Sequence, residues 1–189
     1  MKRKNAVALL LILTIGLLTV DRITKIIAID ALTGSKPVAF LPGFLDFVLV
    51  YNTGGAFGIF EGGGVFFVGV AVIAFIGIIV YLLRAQQLHM PIVIALSLIS
   101  GGALGNAYDR AMSGAVPDFI HTLFIEFPVF NAADSFLTVG EILLILLLAF
   151  YWFGPKRQDK ADARSSTAEQ SLGSEEPITD EQPPSDGLA

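Results

Sequence analysis

The sequence predicts an α-helical polytopic membrane protein, with four transmembrane helices and a small extracytoplasmic β-rich cradle. Apolar residues make up 54% of the 189-residue chain and gather in four long blocks. Charged residues make up only 15% of the chain, against about 25% in an ordinary soluble domain. Between the first two blocks lies a stretch that combines glycine and proline with β-favouring residues, as expected of a small sheet.

The four apolar blocks have the length that a bilayer requires, because about 20 residues rising 1.5 Å each cross its hydrocarbon core. The predicted spans cover about residues 6–29, 65–83, 91–107 and 132–153. The basic start of the first block is also typical of a secretory signal peptide. However, no small-x-small cleavage motif follows, and the polar run from Asp21 to Lys25 directly continues the block.

The placement of lysine and arginine predicts the orientation of the spans. With the N-terminus inside, the cytoplasmic segments hold eight lysines and arginines and the opposite side holds four, as the positive-inside rule requires. Both termini are then cytoplasmic, and the outer loops are 31–64 and 108–131. We expect a membrane domain over 1–153 and an acidic cytoplasmic tail over 154–189, whose composition predicts disorder.

Several functional classes are excluded by residues that the sequence lacks. It contains no cysteine, which excludes disulfides, thiolate nucleophiles and zinc–thiolate sites. No basic face indicates a nucleic-acid partner, and the HExxH, GxSxG and P-loop motifs are missing. We therefore predict neither a metal nor a cofactor.

Polar residues beside the apolar blocks carry the functional signal, because each is costly to desolvate and needs a partner or a purpose. By the predicted topology, they all lie toward the outer side of the membrane. They are Asp21, Lys25, Asn52, Asn106, Asp109, Arg110, Asp118, Asn131 and Asp134. Their convergence indicates an outward-facing site.

Some of these residues also have purely structural explanations. Asp21 and Lys25 stand four residues apart and could pair on one helix face. Asp109 and Arg110 could pair with each other or extend to the membrane interface. Asn52 precedes glycines, where it could simply form a turn. Residue type and spacing leave these alternatives open.

Two of the acids suggest chemistry, although each also has a structural alternative. Asp118 stands among apolar neighbours, where an acid has a partner or a raised pKa, unless it is an exposed loop residue. Asp134 opens the fourth block, where a helix dipole favours an acid. Two aspartates held close would share one proton, so that one takes a proton from water and the other donates to a scissile carbonyl. The residues alone narrow such a pair only to a set that also includes Asp21 and Asp109.

Five short motifs occur in order between the apolar blocks. They are Asp21-x-x-x-Lys25, the run Asn52 to Gly58 (NTGGAFG), the run Gly101 to Arg110 (GGALGNAYDR), the run Val116 to Phe119 (VPDF), and the run Phe130 to Asp134 (FNAAD). In this order, over about residues 15–153, the chain resembles the lipoprotein signal peptidase family, also called signal peptidase II. Two positions depart from the family pattern: Gly55 stands where alanine is usual, and Pro117 precedes the aspartate.

The resemblance implies an intramembrane aspartyl endopeptidase whose catalytic pair is Asp118 and Asp134. It implies substrate-binding or supporting roles for a further set, namely Asn52, Gly102, Asn106, Arg110, Asn131, Asp21, Lys25 and Asp109. The implied substrate is a prolipoprotein whose lipobox cysteine already carries diacylglycerol, cut on the N-terminal side of that cysteine.

The resemblance also implies a location and partners. We expect a monomer in the bacterial cytoplasmic (inner) membrane, in contact with membrane lipids and with its active site near the outer face. The alternatives are a small proton-coupled transporter that uses the same acids and a non-enzymatic scaffold. A transporter requires polar residues deep within the spans, and the last three blocks hold few apart from Ser97, Ser100 and Glu141.

Overall fold

The computed structural model describes residues 1–55 and 59–153. The acidic tail, for which we predict disorder, and part of the second motif lie outside the described residues. The chain comprises a compact unit, Met1–Ala149, and a second unit, Phe150–Ala189, of which only the end of the last helix is described.

Four helices in the described part of the chain are long and apolar enough to cross a membrane, which confirms the predicted number of spans. They are α1 (Arg3–Leu32), α2 (Gly64–Arg84), α3 (Met90–Ser113) and α4 (Ala132–Phe153). In the most apolar window of α3, 61% of residues are buried, against 22%, 11% and 6% in α1, α2 and α4. The protein therefore buries α3 most deeply, and the three other helices present more of their surface to the bilayer.

α3 continues past the predicted span end at Ala107 and carries Asp109 and Arg110 within the helix. It ends at Gly114, whose φ of 77° is a left-handed conformation that glycine adopts without a Cβ clash. The Gly114 N–H donates to the Arg110 carbonyl and completes the last turn. The polar end of α3 is thus a rigid helical platform and not part of a loop.

α4 approaches α3 closely because two glycines leave room for it. A Cβ on Gly102 would lie 2.8 Å from the Leu137 nitrogen of α4, and a Cβ on Gly140 would lie 2.8 Å from the Leu98 Cβ of α3. Distances this short would force the helices apart. Small residues at such positions let helix backbones approach each other in membranes, where van der Waals packing drives association.

The links between α1 and α2 and between α3 and α4 form a three-stranded antiparallel sheet in the order β1 (Val38–Leu41), β2 (Leu45–Asn52), β3 (Val116–Thr122). This confirms the β-rich cradle expected in the first outer loop, and it adds a strand from the second. β3 lies at the sheet edge and pairs Tyr51 with Pro117. A proline is tolerated there because an edge strand leaves one side of its backbone unpaired.

The sheet is attached to the C-terminal end of α1 by a small apolar cluster of Ala28, Leu32 and Phe119, with Phe47 and Leu49 packed against it. Beyond β3 the chain folds back on itself. The Ile120 N–H donates to the Phe130 carbonyl over 2.8 Å, and the Phe130 N–H donates to the Ile120 carbonyl over 3.0 Å. This bridge brings Phe130, two residues before α4, beside the middle of β3.

Candidate active site

Five of the seven elements in the described part of the chain contribute to one polar cluster, at the ends of the helices that lie beside the sheet. α1 supplies Asp21 and Lys25, β2 ends at Asn52, and β3 carries Asp118. α3 supplies Asn106, Asp109 and Arg110, and the start of α4 supplies Asn131 and Asp134. The structure brings together all nine polar residues that the sequence singles out.

Asp118 is buried, with 2% of its surface exposed. Its Oδ1 accepts a hydrogen bond from Asn131 Nδ2 over 2.5 Å, and its Oδ2 accepts one from Asn52 Nδ2 over 3.0 Å. Burial, followed by the nearby charge of Asp134, raises the pKa of Asp118 to about 6, because both effects disfavour a carboxylate. The two amides oppose this rise by donating to the charged form.

Asp134 lies in the first turn of α4 and forms a reciprocal cap with Asn131. The Asn131 backbone N–H donates to Asp134 Oδ2 over 3.0 Å, and Asn131 Oδ1 accepts the Asp134 N–H over 3.1 Å. This is the geometry of a capping box, which satisfies helix N–H groups that otherwise lack partners. The second Asp134 oxygen accepts from Asn106 Nδ2 over 2.7 Å.

Asn131 therefore contacts both acids: its side-chain amide donates to Asp118 and its backbone amide donates to Asp134. It is fully buried, and it also donates to Asn106 Oδ1 over 3.2 Å. One residue thus fixes the two carboxylates relative to each other.

Asn52 combines the turn role that its neighbours suggest with a contact to the site. Its Oδ1 accepts the Gly54 N–H over 2.9 Å, as in an Asx turn,. That bond turns the amide nitrogen toward Asp118.

Arg110 belongs to the same cluster and makes no ion pair with Asp109. Its guanidinium donates to the Gly54 carbonyl over 2.5 Å and lies 4.9 Å from the centre of the Phe67 ring. Its Nε is buried without a hydrogen-bond partner among the described residues.

A buried ionic network lies behind the two carboxylates. Lys25 is fully buried and donates to Asp21 over 2.9 Å, to Asp109 over 2.6 Å and to Asn106 Oδ1 over 3.0 Å. Asp109 also pairs with Arg22. The Asp21–Lys25 pair expected from their spacing is present, but it is one part of a larger network.

The network reaches α4 through Asp21, whose Oδ1 accepts the Ala133 N–H over 3.1 Å. Two glycines of α3 make this possible. Gly105 leaves space for Asp21, whose Oδ2 would lie 2.7 Å from a Cβ at that position, while Gly102 lies against the Ala133 carbonyl. Gly102 therefore acts on the site by admitting α4, and it does not line the cavity.

A cavity of about 550 Å³ opens beside the two carboxylates. Its polar wall consists of Asn52, Asn106, Arg110, Asp118 and Asp134. No group of three or more His, Asp or Glu residues in the described segments is arranged to hold a metal ion. The chemistry available at this wall of the cavity is that of two carboxyl groups, side-chain amides and one guanidinium.

The cavity also extends along α4 to residues that the sequence motifs do not include: Ser135, Thr138 and Glu141. A signal for two of them is present in the sequence. Asp134, Thr138 and Glu141 follow the i, i+4, i+7 spacing of one helix face, so a polar face is readable once Asp134 is chosen.

Comparison with known proteins gives a consistent result. A model of the family described as signal peptidase (SPase) II matches residues 13–150. The chain is 38% identical over 143 residues to a lipoprotein signal peptidase of Ectopseudomonas mendocina (strain ymp), covering 72% of this chain and 85% of that protein. It is 39% identical over 140 residues to a lipoprotein signal peptidase of Symbiobacterium thermophilum, covering 73% and 92%.

Solved structures agree with these relatives. A bacterial membrane enzyme determined by the in meso method superposes with a TM-score of 0.69 at 34% identity, covering 79% of this chain and 93% of that one. A second structure with the same description superposes with a TM-score of 0.66 at 35% identity. With a family model that spans most of the chain, these matches show that this multi-pass membrane protein belongs to the signal peptidase II family of peptidases.

Proposed function

We propose that this chain removes the signal peptide from prolipoproteins whose lipobox cysteine already carries diacylglycerol. It cuts on the N-terminal side of that cysteine by an aspartyl mechanism. The observation that carries the proposal is the pair of carboxylates, Asp118 and Asp134, on one cavity and joined through Asn131.

The two aspartates take different parts in the reaction. Asp134 lies at a helix N-terminus and accepts two N–H donors, an environment that suits a carboxylate and hence a base. Asp118 is buried and its pKa is raised to about 6, so it holds the proton that the pair shares.

In the forward reaction, Asp134 takes a proton from a water molecule whose oxygen attacks the scissile carbonyl carbon. Asp118 donates its proton to the carbonyl oxygen and stabilises the tetrahedral intermediate. Collapse of the intermediate breaks the C–N bond, and the proton held by Asp134 passes to the amine of the departing cysteine. A hydroxyl proton of the intermediate returns to Asp118, so that Asp118 is again protonated and Asp134 is again a carboxylate.

The amides and Arg110 support this chemistry. Asn52, Asn106 and Asn131 hold the two carboxylates through four hydrogen bonds, which keeps the acids oriented before substrate arrives. Arg110 lines the cavity with a guanidinium that can donate to a substrate backbone carbonyl,.

The cellular setting is part of the proposal. The lysine and arginine distribution supports cytoplasmic termini, with the cavity at the outer face of the bacterial inner membrane. The cavity lies between α3, α4 and the sheet. A lipid-modified segment can therefore reach it laterally from the bilayer as a substrate of a monomeric enzyme.

A cleavage assay tests the function directly. We expect the purified full-length protein, in lipid nanodiscs, to shorten a diacylglyceryl-modified prolipoprotein by its signal peptide, as measured by mass spectrometry. The same prolipoprotein without the lipid is the matched control and should be cut far more slowly. Equal cleavage of both substrates, or cleavage at another bond, would contradict the proposal.

The pH dependence of cleavage tests the assignment of the proton to Asp118. The protonated form predominates below the pKa of about 6 and is lost above it, so kcat/KM should fall as pH rises from 6 to 8. The fall should approach about tenfold per pH unit, as expected for loss of a general acid. A kcat/KM that rises across this range would mean that Asp118 works as an ionised group and would reverse the two roles.

A further inference from the structure

One ionisable residue of the cavity has no part in the mechanism above. Glu141 lies in the apolar helix α4, seven residues after Asp134, and lines the same cavity. No described residue forms a hydrogen bond or ion pair with it. A carboxyl group within a membrane span is costly and is retained where it serves a function.

The faces of α4 show where this carboxyl group points. Ala133, Leu137 and Gly140 follow an i, i+4, i+7 pattern, and the backbone or side chains at these positions meet α3. Each next residue along the chain, Asp134, Thr138 and Glu141, lines the cavity. The face that carries Glu141 is therefore continuous with the Asp134 carboxylate and lies beside the face that packs against α3.

The spacing along this face fixes a depth. At 1.5 Å per residue, Glu141 lies about 10 Å further into the membrane than Asp134. A substrate segment that places its scissile bond at Asp134 must itself descend into the bilayer along α4. Glu141 then faces the part of the substrate segment that precedes the scissile bond. The substrate residue beside Glu141 lies about seven residues before the bond if the segment is helical, and fewer if it is extended.

We infer that Glu141 is a specificity-determining residue that selects substrates with a hydrogen-bond donor in the membrane-embedded segment before the scissile bond. This inference rests on the proposed function and names a substrate feature for it. A hydroxyl group such as that of serine can donate to the Glu141 carboxyl group, and Thr138 offers a second polar atom one turn nearer the site,. An entirely apolar segment leaves the carboxyl group unpaired against hydrocarbon, which disfavours that complex.

A serine scan of the substrate tests the inference. Diacylglyceryl-modified substrates with an apolar membrane segment would carry one serine at each position from about the second to about the ninth before the bond. With the full-length protein in nanodiscs, kcat/KM should rise about tenfold at one position or two adjacent positions, as expected for one hydrogen bond to a carboxyl group.

The variant Glu141→Leu should invert this preference. It should cleave the apolar substrate faster than wild type, because no unpaired carboxyl group remains, and it should cleave the preferred serine substrate more slowly than the apolar one. Glu141→Gln, which keeps a hydrogen-bonding side chain, should retain the preference. Ile142 is the next residue along the helix; its side chain is exposed but does not line the cavity. Ile142→Leu should therefore show the same dependence on serine position as wild type.

Three results would overturn the inference. The first is a kcat/KM in wild type that does not depend on the position of the serine. The second is a preference for the serine substrate that Glu141→Leu leaves unchanged, and the third is an equal loss of activity of Glu141→Leu on the serine substrate and the apolar substrate. The last would assign Glu141 to hydration of the cavity or to stability. These failures differ from failure of the proposed function. If wild type cleaves none of the modified substrates, the proposed function falls and this inference falls with it.

Discussion

Asp118→Asn and Asp134→Asn should each lower kcat for prolipoprotein cleavage about a thousandfold or more. Neither asparagine can exchange a proton with water or with the scissile carbonyl. The double variant should lose little more than either single variant, because two groups that act as one unit are not additive. Rates measured by mass spectrometry on the purified variants check this expectation.

Asp30→Asn is the matched control for the two variants. Asp30 is an exposed acid near the C-terminal end of α1 and takes no part in the cluster, so the same chemical change there should leave cleavage at the wild-type rate. A double variant that loses the product of the two single losses would show that the aspartates act independently. Full activity in either single variant would remove the proposed mechanism.

Lys25→Met should lower the stability of the protein strongly. Lys25 is fully buried and contacts two buried aspartates, Asp21 and Asp109. Its removal leaves Asp21 without an ion-pair partner and Asp109 with Arg22 alone. Breaking a buried pair in this way costs about 3–5 kcal/mol, which corresponds to a fall in Tm on the order of 10 °C for a chain of this size.

Thermal unfolding of the protein in detergent measures this effect, with Lys36→Met as control. Lys36 is exposed in the link between α1 and β1, and its replacement should change stability by no more than about 0.5 kcal/mol. Replacing Asp21 by asparagine in the Lys25→Met background should recover part of the loss, because one unpaired charge disappears. Equal melting of Lys25→Met and wild type would show that the network is hydrated and contributes little.

The helices could be predicted from the sequence because each apolar block is long enough to identify a span by itself. The end of α3 could not, since Asp109 and Arg110 look like the border of a span. They remain helical because their polar groups find partners across the fold: Asp109 contacts Lys25, 84 residues earlier, and Arg110 contacts Gly54. Such pairing offsets the cost that hydropathy assigns to these residues.

Strand β3 was also beyond prediction from its own residues. Pro117 argues against a strand unless the strand lies at a sheet edge, and edge position is a property of the whole sheet. The burial of Asp118 follows from that pairing. This is why the residues alone left four acids as candidates, and why the motif resemblance was needed to select Asp118 with Asp134.

The nine polar residues that lie together in the structure could be singled out beforehand because desolvation cost is a local property that the sequence displays. Their bonds are not local. Asn131 could be recognised as a helix cap from its position, but its contact with Asp118 depends on the fold-back between Ile120 and Phe130. The direction of Glu141 likewise depends on which face of α4 meets α3.

That fold-back has a consequence for protein engineering. The two aspartates, Asp118 and Asp134, and their common donor Asn131 all lie within residues 118–134. The backbone bridge between Ile120 and Phe130 lies within the same segment. A chimera that exchanges residues 116–135 between two relatives would transfer the pair of carboxylates with its spacing intact. A crossover placed between residues 121 and 129 would instead take Asp118 from one relative and Asn131 with Asp134 from the other. The amide that aligns Asp118 with Asp134 would then come from a different parent protein than Asp118.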